Sequence, residues 1–197
     1  MKHSKTKWLS TIFLCTLSNS HLMADNLLVI QDTLSDGATS GFNTPWRLIT
    51  DGVMGGVSSG TLQQSTVEDR QCMRLRGDIS LKNNGGFIQA ALDIDSTPAA
   101  NASGYQGIML DVYGNNEEYK LHLRSEDVWL PWQSYRASFV APAKWQTIKL
   151  PFSSFSGYRI RKPLNIAQLK RIGVVAIGHE FSVDLCIGRL ALYRDKL

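Results

Sequence analysis

Short runs in which apolar and polar residues alternate recur along most of this chain. Between Tyr105 and Tyr113, Ile108, Leu110 and Val112 alternate with Met109 and Asp111. Between Glu118 and Ser125, Tyr119, Leu121 and Leu123 fall in one phase and Lys120, His122 and Arg124 in the other. Between Gln133 and Val140, Tyr135, Ala137 and Phe139 oppose Ser134, Arg136 and Ser138. A period of two sends successive side chains to opposite faces of a sheet, so each run predicts a strand with one buried and one wetted face. Leu27 to Gln31, Thr61 to Val67, Cys72 to Arg76, Gly86 to Ile94, Trp145 to Leu150, Ile172 to Ile177 and Phe181 to Tyr193 are further strand candidates. Many short strands separated by turn residues predict an all-β sandwich or jelly roll. Gly114-Asn115-Asn116 predicts a hairpin between two of the strands. One short helix is expected at Ile166 to Arg171, with Asn165 as its cap.

The N-terminus reads differently. Lys2, Lys5 and Lys7 precede an apolar stretch from Trp8 to Leu17, and Leu22-Met23-Ala24 resembles a cleavage sequence. This predicts a secretory signal peptide over residues 1–24 and a single domain over 25–197. The stretch is too short to span a bilayer, and no later segment could, so no transmembrane segment is expected after cleavage. Phe13 and Leu14 stand before Cys15 where a lipoprotein signal needs small residues. The predicted location is periplasmic or secreted.

Cleavage also resets the charge. The full chain has 21 basic and 17 acidic residues, and the leader holds three of the bases and no acid. A mature chain with 18 bases against 17 acids lacks the concentrated basic footprint that nucleic acid requires. Its histidines are His122 and His179 and its cysteines Cys72 and Cys186, with no CxxC spacing, so no metal site is expected. No strand–GxGxxG–helix unit is present, so no nucleotide cofactor is expected either.

Two glycine-rich segments stand out. The first runs through Asp51-Gly52-Val53-Met54-Gly55-Gly56-Val57-Ser58, the second through Asn83-Asn84-Gly85-Gly86-Phe87. Glycine and asparagine tolerate left-handed backbone, so both predict tight turns first. Asp51 is expected to cap its turn by accepting backbone amides. Such a loop could also present amides to a ligand.

With Trp46, these two segments resemble the signature of the complex I intermediate-associated protein 30 family. The resemblance continues in order through Tyr105-Gln106-Gly107-Ile108, Tyr119 to Arg124, Tyr135 to Phe139, Trp145 to Phe152 and Phe155. It covers about Asp36 to Leu192. It implies a galactose-binding-like jelly-roll β-sandwich, similar to carbohydrate-binding modules. It also implies kinship with mitochondrial assembly chaperones of respiratory complex I. In such a sandwich early and late strands can be neighbours. Cys72 shares its phase with Arg74 and Arg76, and Cys186 with Asp184, so both sulfurs are expected on a polar face. A Cys72–Cys186 bridge and two free thiols are both compatible with this pattern.

The polar phase of the middle strands is the candidate binding face. Lys120, His122 and Arg124 share one side, and Arg136 lies across from them if the next strand pairs antiparallel. Trp129, Trp132 and Tyr135 cluster around the intervening loop; exposed, they could stack on a sugar ring or anchor a protein, and they are equally compatible with lids on the core. Trp46 and Trp145 are assigned to packing. Gly56-Val57-Ser58-Ser59-Gly60 matches G-x-S-x-G, but that motif needs a strand before it, a helix after it and a histidine in reach. Three functions are therefore ordered: a non-catalytic module that assists folding or assembly of an envelope protein, then a carbohydrate-binding module, and last a serine hydrolase acting through Ser58.

Overall fold

A computed structural model describes residues 26–33, 40–42 and 44–195. The expected signal peptide at 1–24 lies outside them. The alternating runs become strands β1 (Leu27–Asp32), β2 (Ser40–Gly41), β3 (Arg47–Thr50), β4 (Ser59–Val67), β5 (Arg70–Asp78), β6 (Phe87–Asp93) and β7 (Gly107–Tyr113). They continue as β8 (Glu118–Ser125), β9 (Ser134–Val140), β10 (Gln146–Pro151), β11 (Ser156–Tyr158), β12 (Leu169–Ile177) and β13 (Ser182–Tyr193). Among the described residues the helical segments are single 3₁₀ turns, so the fold is all-β.

The strands form two antiparallel sheets, one of seven strands and one of six. The larger is organised by β13, which pairs with β7 on one side. On its other side it pairs with β5 through Ile187 and with β1 from Arg189 onward. The changeover at Gly188 is held by Thr33, whose amide and hydroxyl both donate to the Gly188 carbonyl at 2.8 Å. The smaller sheet has the order β11-β9-β8-β12-β6-β3.

The inner faces carry the apolar phase of each strand. Ile88, Leu92, Tyr119, Leu121, Leu123, Ile172 and Val174 meet Leu75, Ile108, Leu110, Leu185 and Leu190 in one buried cluster. Burying this surface is the main driving term of the fold. Trp46 packs on the cluster's edge, and the Trp145 indole donates to the Val67 carbonyl at 3.0 Å. No helix among the described residues is long and apolar enough to cross a membrane.

Three expectations need correction. Ile166 to Arg171 is not a helix. Asn165 does cap the segment, its side chain accepting from the Ala167 amide, but only a turn follows before Leu169 enters β12. There, Leu169 and Ile172 fill the core and the Lys170 carbonyl accepts from the Ile94 amide, so sheet pairing outweighs the local helical signal. Gly114-Asn115-Asn116 is not a hairpin, because β7 and β8 belong to different sheets. It crosses between them, with the Gly114 and Asn116 amides donating to Pro142 and Ala141. Tyr135 is not a surface aromatic: it is 1% exposed inside the sandwich, and its hydroxyl donates to the carbonyls of Lys162 and Pro163. The period of two places it opposite Ser134 and Arg136, away from the candidate face.

Candidate functional site

The outer face of the six-stranded sheet carries the polar phase of β8 and β9. Their antiparallel pairing sets His122 opposite Arg136 and Lys120 opposite Ser138. On the other side of β8, β12 places Gly173 beside His122 and Arg171 beside Arg124. Gly173 lacks a side chain where one is needed least: a Cβ there would sit 2.2 Å from the Gln89 amide nitrogen. The Gln89 side chain therefore folds over Gly173, and both line a hollow on this face.

Two loop groups wall this hollow at opposite ends of β12. At the Ile177 end stand the two glycine-rich segments. Asp51 ties them together. Its buried carboxylate accepts from the Ser58 amide at 3.0 Å and the Ser58 hydroxyl at 2.5 Å, and from the Gly86 amide at 2.5 Å and the Phe87 amide at 3.4 Å. Burial pushes this carboxyl up, but these hydrogen bonds outweigh it and hold it below the usual range. Gly56 and Gly85 pack so close to Asp51 that a Cβ at either would overlap its carboxylate. Gly55, at φ 89°, Gly86, at φ 123°, and Asn83 and Asn84, both at φ 56°, take the left-handed backbone of the turns. The folded loop leaves Val53 and Met54 73% and 60% exposed, beside Leu81.

At the Arg171 end the wall is the segment joining β8 to β9. Arg124 shapes it, its guanidinium donating to the carbonyls of Val128, Leu130, Pro131 and Gln133. Gln133 in turn donates to the Arg159 carbonyl, fastening the wall to the turn after β11. Trp132 is 48% exposed and faces the hollow. Trp129, at 83% exposure, points elsewhere and does not line it. Lys120 lies on the same sheet face but outside the lining as well.

The result is an open cleft of about 1080 Å³. Its base carries Gln89, His122 and Arg136, its rim Trp132 and Tyr158, and its apolar end Ile49, Val53, Met54, Leu81 and Phe87. Burial, then the charges of Arg136 and Lys120, push the His122 imidazole down to about 3, so it is neutral at ordinary pH. Its Nε2 is buried without a hydrogen-bond partner. The Arg136 guanidinium lies 3.5 Å from the centre of the Tyr158 ring and spends one hydrogen bond on Ser134. No group of three or more potential metal ligands occurs among the described residues.

The sequence pattern thus located His122, Arg124 and Arg136 on one face, and the structure brings them together. It did not find Gln89, Tyr158, Arg159, Arg171 or Gly173. Tyr158 lies in a three-residue strand too short to show a period. Gly173 matters only through the neighbour that folds over it. Ser58 sits in no hydrolase elbow: β4 follows it, and its hydroxyl donates to Asp51 and accepts from the Ser80 amide at 3.0 Å. Cys72 and Cys186 form a disulfide between β5 and β13, with Cα atoms 5.4 Å apart. They share the phase of Arg74 and Asp184 as expected, yet both are buried, outside the inter-sheet cluster.

The profile of a family described as complex I intermediate-associated protein 30 matches residues 35–187. No curated protein matches the chain. Among solved structures, the family 11 carbohydrate-binding module of the cellulosomal cellulase Lic26A-Cel5E of Clostridium thermocellum is similar at TM-score 0.63 and 15% identity, over 84% of this chain and 95% of that one. A family 11 module from Clostridium thermocellum in complex with a β-1,3-1,4-mixed-linked tetrasaccharide is similar at TM-score 0.61 and 15% identity, over 83% and 96%. A family 30 module of the cellulosomal cellulase Cel9D-Cel44B of the same organism follows at TM-score 0.59 and 12% identity, over 86% and 99%. At these identities the likeness is one of fold.

Proposed function

Because the chain belongs to the complex I intermediate-associated protein 30 family and has the fold of carbohydrate-binding modules, we propose that it is a non-catalytic binding module whose cleft holds an extended glycan strand. The observation that carries this reading is the pairing of the exposed Trp132 with a hydrogen-bonding base of Gln89, His122 and Arg136. An aromatic face covers the apolar face of a sugar ring, while amide, imidazole and guanidinium groups match its hydroxyls. A cleft of about 1080 Å³, open to solvent, accommodates several sugar rings.

A second reading, a protein partner whose assembly is assisted, draws on the exposed Val53, Met54 and Leu81 at the apolar end of the cleft and on the family's printed description. Exposed apolar groups clustered in this way mark contact surfaces. Glycan-array binding by the protein lacking residues 1–24, lost in Trp132→Ala with an unchanged thermal melt, is the expected result. Absence of glycan binding together with co-purification of a stoichiometric envelope protein would replace the glycan reading with the second one. We also propose export, with residues 1–24 removed; an intact Met1 in the purified native protein, read by mass spectrometry, contradicts it.

A further inference from the structure

Resting on the glycan reading, we propose that the strand held in this cleft carries acidic groups, and that Arg136 and Arg159 select it. The lining contains Arg124, Arg136, Arg159 and Arg171 and no aspartate or glutamate. Arg171 is paired with Asp93, which also takes Arg47. The other three form no ion pair with a carboxylate among the described residues. Arg124 is spent on four backbone carbonyls, which orient it without cancelling its charge.

Arg136 and Arg159 are different. Both guanidiniums lie against the Tyr158 ring, at 3.5 and 5.5 Å from its centre. Stacking holds a guanidinium in one plane and leaves its edge free. Arg136 uses its Nε toward Ser134, so its two terminal nitrogens make no hydrogen bond to the described protein. A fixed, planar fork with two free donors is the geometry that takes a carboxylate or sulfate side-on. Arg159 projects from a turn residue at φ 54°, and its own carbonyl is tied to Gln133, so this second cation is anchored beside the first. Burial, with the positive charge of Arg159 adding to it, makes Arg136 harder to keep charged. An arriving anion would relieve that cost. A neutral glucan offers no such relief, and the mature chain's near-zero net charge means that the preference comes from this cluster and not from the protein as a whole.

The test uses the full mature chain and oligosaccharides of matched length: a galacturonate oligomer, a sulfated galactan oligomer and a neutral cello-oligomer, with an oligoglutamate peptide alongside. The expected result is binding of at least one acidic oligosaccharide about tenfold more tightly than the neutral one. That preference should weaken between about 50 and about 500 mM salt. Arg159→Gln, on an exposed turn, should reduce the acidic preference without moving the thermal melt, and Arg136→Gln should reduce it further. The two acidic oligomers distinguish carboxylate from sulfate ester as the bound group. Equal or tighter binding of the neutral oligomer overturns this proposal and leaves the glycan reading standing. Binding of oligoglutamate alone, or of none of the sugars, overturns both.

Discussion

Asp51 accepts two hydrogen bonds from Ser58, one from its amide and one from its hydroxyl, and thereby closes the first glycine-rich loop on itself. The same carboxylate reaches the Gly86 and Phe87 amides, so one buried charge fastens two loops that are far apart in sequence. Asp51→Ala would strand three buried or half-buried amides and is expected to cost at least about 3 kcal/mol of stability. Denaturant melts of the purified variant check this; a loss under about 1 kcal/mol would refute the role.

The neighbouring glycines should fail for different reasons. Gly55 has open space around it but a φ of 89°, so Gly55→Val carries backbone strain of about 1–3 kcal/mol. Gly56 has no positive φ, but a Cβ there would lie 2.3 Å from the Asp51 carboxyl carbon. Gly56→Val should therefore be the worse of the two, and a thermal-melt ranking in the opposite order contradicts this account.

Ser58 is expected to be inert as a nucleophile, because its hydroxyl donates to Asp51 and accepts from Ser80. A fluorophosphonate probe should leave it unlabelled. Labelling that disappears in Ser58→Ala would revive a hydrolytic role.

The Cys72–Cys186 bridge spans 114 residues of chain. In the chain-entropy account a loop of that size adds roughly 4–5 kcal/mol. Reduction or Cys186→Ala should lower the denaturant midpoint accordingly. Non-reducing peptide mapping of protein recovered from an oxidising compartment should yield a linked Cys72–Cys186 peptide pair; two freely alkylated cysteines would refute it.

His122 gives the stability of the protein a pH dependence. Its ordinary value is 6.5, and burial, with Arg136 and Lys120 adding to it, lowers the folded value to about 3. Between those values the unfolded chain takes up a proton that the folded chain refuses. Stability is therefore complete above about pH 6.5 and declines as the pH falls toward about 3. The limiting slope for one proton is about 1.4 kcal/mol per pH unit. Carboxylates such as Asp51 and Asp93, also lowered, add their losses only at more acidic pH. His122→Gln should flatten the decline between pH 7 and pH 5, and an unchanged slope would show that His122 is not the group responsible.

The alternating phase of β8 and β9 determined which residues face water, because side-chain direction in a strand depends only on parity. Lys120, His122, Arg124 and Arg136 were placed on one face by sequence alone, and the same rule, read strictly, already put Tyr135 on the other. The glycine pattern likewise determined that residues 51–58 and 83–87 form turns, since few other residues take a positive φ. Tertiary structure decided everything that depends on strands far apart in the chain. Sheet membership of β7 and β8 turned an apparent hairpin into a crossover, and the core demand of Leu169 and Ile172 turned an apparent helix into β12. The floor and rim of the cleft depend on Gln89 folding over Gly173 and on Arg136 meeting Tyr158, contacts made across strand registers that no local pattern encodes.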